Sequence, residues 1–400
     1  MHRKISAWFG LCFLFCLQSA WADDSHPTIK NATFSTLITA PLVTEGLTGD
    51  QKGNLYTTGR TPGNGVSCPV WRTSVSSPAL TIVGFVPAPS ATTQCSPSGL
   101  AFNSSGQLFI CDGDRIYTLT PDAAAPPTAT VYASGVPGTN GLAFDRAGNI
   151  WTGDGTTGQG RVWKIALGGV VTEALRVQPM ANEVNLVAGV GGVGRDVRSL
   201  PAGKITVTPT TRNAADTLGS QPLVANGLAF NREGDLYIAD TARGAIWRVE
   251  FDRHGNIKSS MGCDTTFTAN TLCMDNVYAA HPLLEGADGI ALDVADNIWV
   301  SANERNAIVV VGDEGRVTEV FRNPVDPTTK LRNVGPLETP TSPFLLGNKF
   351  CTANSDGNRR DNSPSTAGEL GGVGAPRGKI SCMDQPLKIQ GLRLPVRGGD

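Results

Sequence analysis

The chain has 400 residues, 33 of them basic and 35 acidic, for a formal net charge of −2 with only 17% charged residues. The absence of a basic excess or stripe excludes nucleic acid as a partner, and 40% hydrophobic residues exclude wholesale disorder. The 47 glycines and 26 prolines suit many short strands joined by tight turns better than long surface helices.

The N-terminus reads as a secretory leader. "MHRK" is a basic start, "AWFGLCFLFCL" is an apolar core too short to span a bilayer, and Ala20 and Ala22 give an A-x-A pattern with cleavage after Ala22. The mature protein is therefore expected in the periplasm or the medium, without a membrane span. Residues 30–400 are left as a single domain.

Seven cysteines follow the leader, so at least one is unpaired or bridges to another molecule. Export permits disulfides. Cys263 and Cys273 flank a polar loop and form the first expected pair, followed by Cys68–Cys95 and Cys351–Cys382. Cys111, in the apolar "LFICD", is the expected free, buried thiol. No C-x-x-C spacing supports a zinc ribbon.

One phrase recurs along the chain. It opens "EGLTGDQKGNLYTTG" at Glu45, "SGLAFNSSGQLFICDGDRIYTL" at Ser98, "NGLAFDRAGNIWTGDG" at Asn140, "NGLAFNREGDLYIADTARGAIWRV" at Asn226 and "DGIALDVADNIWVSANERNAIVVV" at Asp288. A degraded sixth copy, "TSPFLLGNKFCTANSD", starts at Thr341. Each copy reads as two or three antiparallel strands with turns such as "DRAGN" and "NREGD" between them. A strand meander repeated at such intervals is the signature of a β-propeller blade. The expected fold is all-β, a six-bladed propeller, closed by "ATFSTLIT" or by "GKISCMDQPLKI".

The wide gap between the third and fourth copies leaves 166–222 as a long insertion between blades three and four, with a degenerate seventh blade as the alternative. It contains "GVGGVG" at 189–194, which lacks the following helix and the acidic residue of a dinucleotide site.

The letter before the repeated Gly changes: Glu45, Ser98, Asn140, Asn226, Asp288, with Ser342 as the rough equivalent in the sixth copy. If each phrase begins an inner strand, these residues converge on the channel mouth. Two carboxylates there repel unless a proton or a cation lies between them. Carboxylate and amide oxygens together suit a hard cation such as Ca²⁺ or Mg²⁺. Any one of these residues alone is more simply a turn cap; their joint occurrence at one repeat position points to metal.

At "TEGL", "ANGLAF" and "ADGIAL" the sequence resembles the SMP-30/gluconolactonase family of six-bladed propellers, over about residues 40–356 apart from 166–222. The resemblance implies one divalent cation at the channel mouth, Ca²⁺ first with Zn²⁺, Mg²⁺ or Mn²⁺ as alternatives, held by Glu45, Asn226 and Asp288. It implies a proton-transfer role for Asp288 and a small-molecule substrate, a lactone or related ester. It also implies a substrate contact from Asn140 in "GTNGLAF", or from Thr139 if the register slips by one.

His281 precedes the Asp288 strand and could reach substrate, although a packed or surface histidine is the simpler reading. Asp112, Asp114, Asp154 and Asp240 read as turn-closing residues, and Trp151, Trp163, Trp247 and Trp299 as blade packing. No G-x-S-x-G elbow occurs. Three readings are carried forward: an exported metal-dependent hydrolase of lactones or small esters, a non-catalytic binding propeller with a structural metal, and a metal-dependent lyase or isomerase on a carbonyl substrate. Oligomeric state is left open.

Overall fold

The computed structural model describes residues 31–50, 52–157, 159–178, 225–265, 267–328, 334–355 and 377–394, with 29 and 332. The segment expected to be a leader and "GVGGVG" lie outside the described residues. The turn sequences explain why strands form where they do. In "DRAGN", Asp145 Oδ1 accepts from the amides of Ala147 (3.0 Å) and Asn149 (2.9 Å), and Oδ2 from Asn149 Nδ2 (2.8 Å) and Trp151 Nε1 (3.0 Å). Gly148 takes φ +83°, a conformation costly for any residue with a Cβ. The same side-chain-closed turn recurs at Asp50, Asn103, Asn231 and Asp293, so the first hairpin of blades one to five is fixed locally.

Among the described residues, twenty-four strands form six four-stranded antiparallel sheets. Blade one comprises β2 (Val43–Gly49), β3 (Asn54–Arg60), β4 (Cys68–Ser74) and β5 (Thr81–Val86). Blade two is β6 (Pro97–Phe102), β7 (Leu108–Asp112), β8 (Arg115–Leu119) and β9 (Thr130–Ser134). Blade three is β10 (Thr139–Phe144), β11 (Ile150–Asp154), β12 (Arg161–Ile165) and β13 (Val171–Arg176). Blade four is β14 (Ala225–Phe230), β15 (Leu236–Asp240), β16 (Ala245–Val249) and β17 (Val277–Ala280). Blade five is β18 (Ala287–Leu292), β19 (Ile298–Ala302), β20 (Ala307–Val311) and β21 (Val317–Arg322). Blade six takes β22 (Pro340–Leu346), β23 (Lys349–Asn354) and β24 (Gly378–Met383) from the end of the chain and β1 (Phe34–Ala40) from its start. Both expected closing segments therefore take part, β24 inside and β1 at the rim.

Six blades close the ring. Inner strands β10 and β14 pack directly: a Cβ at Gly141 would lie 2.7 Å from Asn226 O, and one at Gly153 would lie 2.2 Å from Ala225 O. No space remains between blades three and four for a seventh. Part of 166–222 is blade three itself, since β13 falls inside it. Residues 258–285, which hold the loop between Cys263 and Cys273, also supply β17. Disulfides join Cys68–Cys95, Cys263–Cys273 and Cys351–Cys382, and Cys111 is buried and free. Burial pushes the Cys111 thiol up to about 12, which leaves it an unreactive core residue.

Leu47, Leu100, Leu142, Leu228, Ile290 and Pro343 line the axial channel, around a cavity of about 80 Å³. The tail after β24 runs across the channel's lower end. Gly391 N donates to Gly347 O (2.7 Å) and Leu392 N to Leu292 O (2.9 Å), placing Leu392 against the channel wall. Leu392→Asp would set a carboxylate against this apolar wall and is expected to cost about 1–3 kcal/mol. Urea unfolding with an unshifted midpoint would show that the tail does not contribute to ring stability.

Candidate metal centre

Each inner strand carries a bulge at one register position: between Thr44 and Leu47, Pro97 and Leu100, Thr139 and Leu142, Ala225 and Leu228, Ala287 and Ile290, and Pro340 and Pro343. A bulge leaves residues out of the ladder and re-aims their side chains. The first bulge residues are Glu45, Ser98, Asn140, Asn226, Asp288 and Thr341, which form an axial ring. The sixth member is thus Thr341 and not Ser342; the shift arises because Pro340 pairs with Asn354 as Ala287 pairs with Ala302. Ser342 takes the glycine place.

The ring divides by hydrogen bonding. Ser98 Oγ donates to the carbonyls of Thr139 (3.1 Å) and Asn140 (3.2 Å), and Thr341 Oγ1 donates to Glu45 O (2.6 Å). These two hydroxyls bind blade seams. Four members keep side-chain oxygens for the axis: Glu45, Asn140, Asn226 and Asp288, all nearly buried. Thr139 faces blade two instead, its Oγ1 donating to Gly113 O (3.2 Å), so the bulge position belongs to Asn140.

A second repeat position supports three of them. The residue opposite the bulge, just past the second-strand pairing, is Arg60 in blade one, Thr241 in blade four and Asn303 in blade five. Arg60 Nη1 donates to Glu45 Oε2 in an ion pair. Asn303 Nδ2 donates to Asp288 Oδ2 (2.8 Å). Asn226 Nδ2 donates to Thr241 Oγ1 (3.0 Å), whose own proton goes to Ala287 O (2.6 Å). Thr241 can then only accept from Asn226, which fixes the amide's orientation. Blade three has Gly155 there, and a Cβ would lie 2.6 Å from Asn140 Nδ2, so the missing side chain makes room for the amide.

This orientation leaves Asn226 Oδ1 buried with no hydrogen-bond donor. A buried acceptor without a partner is costly. Asp288 is pushed well above the usual carboxylate range by its burial and by the Glu45 charge, against hydrogen bonds from Asn303 and Asn226 and the charge of Arg60. An orphaned carbonyl-type oxygen in one ring with two carboxylates fits a hard divalent cation. Among the described residues no group of three or more His, Cys, Asp or Glu side chains could hold a metal, so an amide oxygen is an essential part of this donor set.

His281 lies off the ring. It follows the outermost strand of blade four, and its Nδ1 accepts from Leu283 N (3.1 Å) to cap a short helical turn. Its pKa is lowered by burial and by the nearby Arg305 charge. Asp154 and Asp240 close turns onto Arg161 (2.7 Å) and Arg243 (3.0 Å). The sequence reading missed Arg60, Thr241 and Asn303, which follow no shared letter. The only signal available was their common place after the second apolar run.

A family model described as "SMP-30/Gluconolactonase/LRE-like region" matches residues 85–336, more than half of the chain. The match takes in Asn140, Asn226 and Asp288 and leaves Glu45 outside. Among solved structures the chain is similar to a calcium-binding protein, regucalcin, from Agrobacterium tumefaciens, at 16% identity over 88% of this chain and 94% of that one, TM-score 0.55. It is also similar to a luciferin-regenerating enzyme (14% identity, 90% and 97% covered, TM-score 0.52). A putative gluconolactonase is similar at 14% identity, with 91% and 95% covered and a TM-score of 0.50. At these identities the likeness is one of fold. No curated protein matches the chain.

Proposed function

The chain belongs to the SMP-30/gluconolactonase/LRE-like family, and from that premise we propose that it is an exported, metal-dependent hydrolase of lactones or small esters. The observation that carries the reading is the buried, donorless Oδ1 of Asn226 in the same axial ring as Glu45 and Asp288. These three residues would hold one divalent cation, Ca²⁺ before Zn²⁺, Mg²⁺ or Mn²⁺. The names of the similar structures, a calcium-binding protein and a putative gluconolactonase, support both parts of the reading. Three disulfides support export.

When bound, the cation supplies Lewis acidity toward a carbonyl and acidifies water. The chain's own residues do the remainder. Asp288 would take the proton of the attacking water, with Asn303 Nδ2 holding its Oδ2 (2.8 Å). Asn140, in the same ring, would contact the substrate through its side-chain amide. The wall below the polar ring is apolar, lined by Leu47, Leu100, Leu142, Leu228, Ile290 and Pro343, so substrate would enter from the polar face.

The test is acid release from a panel of sugar, aliphatic and aromatic lactones by chelated protein, with and without added Ca²⁺ or Zn²⁺. Turnover restored by metal is the expected result. No turnover on any lactone, with metal still raising the melting temperature, would replace hydrolysis by a binding role.

A further inference from the structure

Arg60 holds the repeat position that Thr241 and Asn303 hold in blades four and five, yet it alone of the three is charged. It is firmly placed: Nη1 pairs with Glu45 Oε2, while Nε and Nη2 donate to Ser96 Oγ at 3.1 and 2.8 Å. Ser96 is tied in turn to blade two, its amide donating to Asp112 Oδ1 (3.0 Å). The Arg60 side chain is 27% exposed and that of Glu45 12%, so their interaction is only partly screened by water. A neutral residue could orient Glu45 as Thr241 orients Asn226. A guanidinium also brings one positive charge to the carboxylate that a divalent cation needs.

We infer that Arg60 is a positioning residue that sets the affinity of the axial centre for cations, acting as a resident cation that competes with the metal for Glu45. Without metal, Arg60 balances Glu45 and keeps the ring from carrying two uncompensated carboxylates. With metal, its charge opposes the incoming ion, so the centre binds less tightly than its donor set allows. The repulsion scales with ionic charge, so the effect should be larger for a trivalent ion than for Ca²⁺. This inference rests on the metal reading of the preceding subsection.

The experiment is titration calorimetry of the full chain with Ca²⁺ and with Tb³⁺, on wild type, Arg60→Gln, Arg60→Lys and Asp288→Asn, with folding checked by circular dichroism in chelator. Arg60→Gln is expected to bind Ca²⁺ at least tenfold more tightly, and Tb³⁺ by a larger factor. Arg60→Lys keeps the charge and should stay within about threefold of wild type. Equal or weaker Ca²⁺ binding by Arg60→Gln overturns the inference. If Arg60→Gln fails in this way while wild type binds Ca²⁺ and Asp288→Asn does not, the metal reading stands and only the role of Arg60 falls. If neither wild type nor Arg60→Gln binds either ion, both readings fall together.

Discussion

Asp288→Asn is expected to abolish high-affinity metal binding and to lower kcat/KM on the best lactone by about 10³-fold or more, while leaving the metal-free protein at least as stable as wild type at neutral pH. The two halves follow from one fact. Asp288 is a buried carboxylate facing Glu45, and its pKa is raised by burial and by that neighbour's charge. Ionised Asp288 is therefore unfavourable in the metal-free fold and useful only when a cation is present. The sign follows by linkage: with the folded pKa above the unfolded value, the folded state binds the extra proton between the two values. Stability contributed by the neutral acid is present below the unfolded pKa and lost as pH rises through the folded one. Metal-free wild type should thus lose melting temperature from about pH 4 upward, and Asp288→Asn should lack that part of the decline. Thermal melts in chelator across this range, beside calorimetry with Ca²⁺, check both halves. Intact metal affinity and turnover in Asp288→Asn would remove Asp288 from the centre.

The six-bladed architecture was legible because the inner hairpins are nearly identical physical problems. "GLAF" must pack against the neighbouring blade, and "DRAGN" must close a tight turn, so the same letters return. The outer strands were not legible. β9 and β21 are half exposed, and without a buried face nothing forces their residues into a repeating pattern. This is why part of blade three read as insertion.

The candidate site was legible only in its inner ring. Glu45, Asn140, Asn226 and Asp288 stand beside a landmark glycine. Arg60, Thr241 and Asn303 share a place in three dimensions but no chemistry, since each answers a different ring partner. The degraded sixth copy misled by one residue because Ser342 replaces the landmark glycine itself.

That glycine position carries the second large effect. Gly227→Ala is expected to destabilise the fold by about 1–3 kcal/mol or more and to weaken metal binding at least tenfold in the same variant. A Cβ at Gly227 would lie 2.4 Å from Asp288 O, 2.7 Å from Gly289 Cα and 2.9 Å from Ile290 N. All three are backbone atoms of the next blade, so no side chain can swing aside. Relief requires moving β14 away from β18, and that movement carries Asn226 away from Asp288. The same contact is repeated around the axis, with Cβ positions at Gly46, Gly99 and Gly289 lying 2.2, 2.3 and 2.4 Å from the carbonyls of Ser98, Asn140 and Thr341. The repeated glycine thus sets the distance between neighbouring ring residues, and blade closure and the metal centre share one set of backbone contacts. The control is Leu392→Asp, which should lower stability at the far end of the channel without changing Ca²⁺ affinity. Urea unfolding and Ca²⁺ calorimetry on both variants separate the cases. If Gly227→Ala loses stability but keeps wild-type affinity, the ring spacing does not govern the centre.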